Sequence, residues 1–125
     1  MTGPGHILLV EDDFAIRETV ADVLTGEGFE VACARDGADA LRQLGDGSPP
    51  PGLILLDLMM PVMDGWSFRS AQREDPRLAA IPVVLVSTGA GAEGTLEALA
   101  PDGLLPKPFD LDQLIEVVGR YCPRH

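Results

Sequence analysis

The chain alternates two hydrophobic patterns. Short runs of consecutive apolar residues are each followed by a longer segment in which apolar residues recur every three or four positions. The runs are Ile7-Leu8-Leu9-Val10, Leu53-Ile54-Leu55-Leu56 and Val83-Val84-Leu85-Val86. Two weaker runs lie at Glu30–Ala34 and Gly103–Leu105. Continuous rather than alternating apolar strands fit a parallel sheet buried on both faces. Between the runs, Ile16, Val20, Val23 and Leu24 share one helical face, predicting a helix from about Phe14 to Glu27 that ends at Gly26 and Gly28. Further helices are predicted from about Ala38 to Leu44, from near Gly65 to just before Pro76, and weakly over Thr95–Leu99. The last opens with Asp110-Leu111-Asp112-Gln113, a capping-box pattern, and carries the stripe Leu111, Leu114, Ile115 and Val118. The Gly45–Gly52 stretch is rich in breakers and reads as a loop, not a domain linker, because neither side could bury a core alone.

Five β-α units predict an α/β domain, a flavodoxin-like (βα)5 three-layer sandwich with a five-stranded parallel sheet in the order 2-1-3-4-5. In that order a site falls at the C-terminal ends of strands 1 and 3. The 125 residues are expected to form one domain, residues 1–125. The 46% apolar content suffices for a core.

The polar residues that end the runs carry the chemistry. Glu11-Asp12-Asp13 follows the first run, Asp57 the third and Ser87-Thr88 the fourth, and Lys107 lies just after the fifth in Pro106-Lys107-Pro108-Phe109. Taken singly, each is what a helix cap or a turn offers. Together they converge on one edge of the predicted sheet. Glu11, Asp12 and Asp57 would repel one another unless a cation joined them, and hard carboxylate oxygens suit Mg²⁺. Asp57 would then be a nucleophile toward phosphorus, with Ser87, Lys107 and the metal sharing the phosphoryl oxygens. Lys107 is the sole lysine among nine cations, which suggests a need for a compact point charge at that position.

The net charge of −11 argues against direct nucleic-acid binding and against an anionic membrane surface as partner. No apolar run approaches the roughly 20 residues that span a bilayer, and the N-terminus lacks a signal-peptide pattern, so a cytoplasmic location is expected. Cys33 and Cys122 have no framework spacing and read as reduced thiols.

These motifs resemble the receiver domain of two-component response regulators over essentially the whole chain, in the manner of a stand-alone, chemotaxis-regulator-like protein. The strongest segments are Ile7–Asp13, Leu56–Gly65, Val86-Ser87-Thr88 and Pro106–Phe109. The resemblance implies that Glu11, Asp12 and Asp57 hold Mg²⁺ with the Met59 backbone carbonyl. It implies that Asp57 takes a phosphoryl group from a histidine kinase or histidine phosphotransfer protein, changing contact with a downstream protein. Ser87 and Lys107 would hold the phosphoryl oxygens, Thr88 would lie in the switch, and the bond before Pro108 would be cis. Leu104 stands where the family often has an aromatic switch residue, and Arg69 and Gln72 stand where it tends to have aliphatics, which suggests a partly solvated helix. The chain ends directly after its last helix, so no output domain is expected. Two other classes compete: a phosphorylation-independent pseudo-receiver, and an aspartyl-phosphate phosphohydrolase, whose second aspartate two residues after the nucleophile is here Met59.

Overall fold

Leu53–Asp57 is buried at every position, as expected of a strand with a helical layer on each face. In the computed structural model, which describes residues 6–45, 51–57, 65–87, 102–106 and 110–121, this strand (β3) lies at the centre of a parallel sheet. The other strands are β1 (His6–Val10), β2 (Glu30–Ala34), β4 (Val83–Ser87) and β5 (Gly103–Pro106). Their order is β2-β1-β3-β4-β5. The helices are α1 (Phe14–Gly26), α2 (Gly37–Leu44), α3 (Gly65–Glu74), the one-turn α4 (Pro76–Ala79) and α5 (Leu111–Tyr121). The predicted Thr95–Leu99 helix lies outside the described residues.

Successive strand side chains point to opposite faces, so each run feeds two cores. Leu8, Val10, Ile54, Leu56, Val83 and Leu85 pack with Ala40, Leu44, Phe68 and Leu78 under α2, α3 and α4. Ile7, Leu9, Leu53, Leu55, Val84 and Leu105 pack with Val20, Leu24, Leu114 and Val118 under α1 and α5.

Capping sets the helix starts. Asp13 accepts from the Ile16 N–H, and Asp36 from the Asp39 N–H. At α5 the box is reciprocal: the Asp110 N–H donates to Gln113 Oε1 at 2.9 Å and the Gln113 N–H to Asp110 Oδ1 at 2.8 Å. Gly28, at φ 98°, lets the chain turn from α1 into β2, and the Phe29 N–H donates back to the Leu24 carbonyl.

Helix α3 ends at Glu74, before Pro76, as expected; with Asp75 as cap, Pro76 then starts the unpredicted α4, because a proline at a first helical position loses no hydrogen bond. Two expectations are corrected. Ile16 and Leu111 belong to predicted apolar stripes but are exposed, lining a shallow groove between α1 and α5. Arg69 and Gln72 are not solvated. Both are buried, with Arg69 Nη1 donating to Gln72 Oε1 at 2.8 Å and Gln72 Nε2 donating to the carbonyls of Leu78 and Ile81. Burial pulls the Arg69 pKa below its ordinary value, an effect that Asp102 opposes.

The root of β5 is tied to both neighbours. The Val83 N–H donates to Asp102 Oδ2 at 2.8 Å, and the Tyr121 hydroxyl donates to the Asp102 carbonyl at 2.6 Å. The Tyr121 ring lies over Gly103, so close that a Cβ there would stand 2.8 Å from Cε2. Gly103→Ala is therefore expected to cost about 1–3 kcal/mol through overpacking. Urea unfolding should show that cost, and most of it should vanish in a Tyr121→Ala background.

Candidate functional site

The parallel register brings the polar ends of the strands side by side. Val10 is opposite Leu56, so Glu11, one residue beyond β1, is adjacent to Asp57. Asp57 is opposite Val86, and Ser87 is opposite Pro106. Glu11, Asp57 and Ser87 thus occupy the C-terminal edge of three adjacent strands. Lys107 follows Pro106 in sequence, but it lies outside the described residues, as do Met59, Thr88 and Pro108. Ser87 and Leu104 are placed here by backbone only.

Glu11, Asp12 and Asp57 each offer a carboxylate oxygen, and these oxygens all lie within 4.8 Å of one another. Glu11 and Asp57 are buried, whereas Asp12 is exposed and opens the cluster to solvent. At an effective dielectric of ~20, each such pair repels by about 3–4 kcal/mol before screening. Charge of that density is stable when neutralised. Three hard oxygen donors, two fixed and one open to water, fit a small divalent cation that retains part of its hydration shell. They do not fit a soft metal, since no thiol or imidazole joins the group among the described residues. Cys33, the cysteine within the described residues, is a free thiol on β2 whose pKa burial raises.

The loop carrying Glu11 and Asp12 is held on several sides. The Glu11 N–H donates to the Ala34 carbonyl at 3.0 Å, and the Asp13 N–H to Glu11 Oε2 at 3.3 Å. Arg17 Nη1 donates to the Glu11 carbonyl at 2.8 Å. The motif reading missed Arg17. Its signal was a cation in the first turn of a helix, where the macrodipole disfavours positive charge.

The class defined by this fold and edge is a parallel α/β domain with an acidic, oxygen-rich pocket at the strand ends. The model of the response regulator receiver domain matches residues 7–119. Response regulator Rre1 of Synechocystis sp. is 36% identical over 99% of this chain, which spans 54% of that protein. Chemotaxis protein CheY4 of Vibrio cholerae superposes with a TM-score of 0.84 at 30% identity, covering 95% of this chain and 99% of that one. TrrA of Thermotoga maritima, solved in complex with Mg²⁺ and BeF, superposes at 0.80 with 28% identity over 97% of this chain and 99% of that one.

The chain belongs to the response regulator receiver domain family, with the flavodoxin-like fold and parallel sheet of its neighbours. Members are phosphoacceptor signalling modules that work with histidine kinases or phosphotransfer proteins, not conventional enzymes. No described helix is long and apolar enough to cross a membrane.

Proposed function

We propose that this chain is a phosphoacceptor switch in a two-component phosphorelay, taking a phosphoryl group on Asp57 from a histidine kinase or histidine phosphotransfer protein. The observation that carries the reading is the Glu11–Asp12–Asp57 cluster at the strand ends, with its oxygens within 4.8 Å. An Asp57 carboxylate oxygen forms a new P–O bond as the N–P bond of the donor phosphohistidine breaks, and the electron pair leaves with the imidazole. Glu11 and Asp12, with the Asp57 carboxylate and the Met59 carbonyl, are the groups that would hold Mg²⁺. When bound, the ion neutralises charge on the carboxylates and on the phosphoryl oxygens. Ser87 and Lys107 receive the transferred phosphoryl oxygens, Ser87 as a hydroxyl donor and Lys107 as a point charge. Hydrolysis of the acyl phosphate returns Asp57 to its carboxylate.

The proposal extends to the output. Thr88 and the segment after β4 respond to the phosphoryl group, and Leu104 replaces the aromatic lever of other members. A downstream protein reads the change in this acidic, cytoplasmic domain.

Incubation with acetyl phosphate and Mg²⁺, followed by intact mass, tests the reading. One phosphoryl adduct per chain is expected, and none in excess EDTA. Steady turnover of an organic phosphate would favour a phosphohydrolase. The absence of both labelling and turnover would favour a phosphorylation-independent interaction module.

A further inference from the structure

The cation of α1 that bonds the Glu11 backbone has no role in the phosphotransfer proposed above. We propose that Arg17 is a positioning residue for the Glu11–Asp12 pair, and that through this pair it sets the affinity of the cluster for a divalent cation. The proposal rests on the reading of the cluster as a metal site.

Arg17 stands in the first turn of α1, the end of a helix that repels positive charge. A compensating contact is therefore expected, and it is the 2.8 Å bond from Nη1 to the Glu11 carbonyl. Glu11 lies one residue past β1 and is 4% exposed, so its carbonyl needs a donor from within the protein. The Arg17 head also lies over the Phe14 ring, 5.4 Å from its centroid. The Arg17 backbone N–H donates to the Asp13 carbonyl at 2.9 Å. One side chain thus bridges the loop from its helical end back to its strand end.

The consequence falls on Asp12. The peptide joining Glu11 to Asp12 is fixed by the Glu11 N–H bond to Ala34 on one side and by Arg17 on the other. The Asp12 side chain makes no hydrogen bond among the described residues, so its aim is set by this backbone. Freeing the Glu11 carbonyl lets the peptide rotate toward solvent, carrying the Asp12 carboxylate away from Glu11 and Asp57. Groups that orient metal ligands typically change metal affinity by about 10–100-fold when removed.

Simple electrostatics predicts the opposite sign. A cation held on the loop that carries Glu11 and Asp12 disfavours a second cation nearby, so on charge alone its removal would tighten Mg²⁺ binding. The direction of the change therefore decides between positioning and charge.

The test is Mg²⁺ titration by calorimetry on the full chain, with melting in EDTA as a fold control. Arg17→Met keeps the apolar stem and removes the donor. It is expected to melt near wild type in EDTA and to bind Mg²⁺ roughly tenfold more weakly. Its labelling by acetyl phosphate should slow at low Mg²⁺ and return toward the wild-type rate at saturation. Arg17→Lys keeps the charge but cannot both stack on Phe14 and reach the carbonyl in the same way, so binding about threefold weaker is expected. That variant carries the test alone if Arg17→Met does not fold. Mg²⁺ binding as tight as wild type or tighter in Arg17→Met, or in Arg17→Lys where it stands alone, overturns the proposal. So does slow labelling at saturating Mg²⁺ with unchanged affinity. If the unsubstituted chain fails to bind Mg²⁺, the metal-site reading itself falls, and that failure is visible before any substitution is made.

Discussion

Asp57→Asn is expected to abolish phosphoryl labelling altogether, and Asp12→Asn to raise the melting temperature in EDTA while shrinking the stabilisation that Mg²⁺ confers. Asparagine preserves the shape of each site but not its charge. At position 57 it removes the nucleophile, because an amide oxygen cannot form a stable acyl phosphate. At position 12 it removes one of three charges crowded within 4.8 Å. Asp12 is exposed, so solvent screens part of the repulsion and the gain in the metal-free fold should be about 1 kcal/mol. That gain reverses in Mg²⁺, where the lost ligand weakens the linkage between binding and stability. A substitution that stabilises the resting fold and weakens its ligand response marks a group kept for function. Intact mass after acetyl phosphate treatment reads the first outcome, and melting curves with and without Mg²⁺ read the second. Undiminished labelling of Asp57→Asn would assign the phosphoacceptor elsewhere. An Asp12→Asn chain with lower stability in EDTA and an unchanged Mg²⁺ response would remove Asp12 from the metal site.

The sheet was legible because burial on both faces leaves the middle of each central strand without a polar position. Ile7–Val10, Leu53–Leu56 and Val83–Val86 therefore stand out as unbroken runs, and the crossover rule orders them. Once ordered, the register places Glu11 beside Asp57 without any side-chain information. The cluster could thus be read from residues 46 positions apart in sequence, since 57 − 11 = 46. The helical layer was less legible. A stripe such as Ile16–Val20–Leu24 tells which side of α1 turns inward but not how far the neighbouring helix covers it, and Ile16 is left at the uncovered rim. Pro76 limits α3 and also starts α4; the stop was legible in the sequence, whereas the one-turn helix after it was too short to leave a periodic pattern. Arg17 escaped notice because its acceptor is a backbone carbonyl, which no motif displays. Arg69 and Gln72 looked like solvent-facing residues because their burial depends on partners that are distant until the chain folds.

Gln72 makes the largest stability prediction. It is fully buried and uses both ends of its amide: Oε1 accepts from Arg69 Nη1, and Nε2 donates to the Leu78 carbonyl at 2.8 Å and the Ile81 carbonyl at 3.1 Å. These bonds clip α3 to α4 and to the turn after it, where the chain enters β4. Gln72→Met matches the side chain in length and keeps the apolar contacts, but it leaves the Ile81 carbonyl without this donor and removes one acceptor from a buried guanidinium, while the Leu78 carbonyl keeps the Ile81 N–H at 3.1 Å. Each buried polar group deprived of its partner costs about 1–3 kcal/mol, so a total near 3 kcal/mol or more is expected after partial relaxation. Against a typical stability of about 5–15 kcal/mol this is a large fraction, and the melting temperature should fall by roughly 10 °C. The clip joins β4 at its N-terminal end, whereas the acidic cluster lies at the opposite, C-terminal end of the sheet. Gln72→Met should therefore bind Mg²⁺ with wild-type affinity while folded. Urea unfolding and Mg²⁺ titration on the same sample separate the two effects. A loss below 1 kcal/mol would show that relaxation satisfies the freed carbonyl, and a weakened Mg²⁺ affinity would show that the two ends of the sheet are coupled.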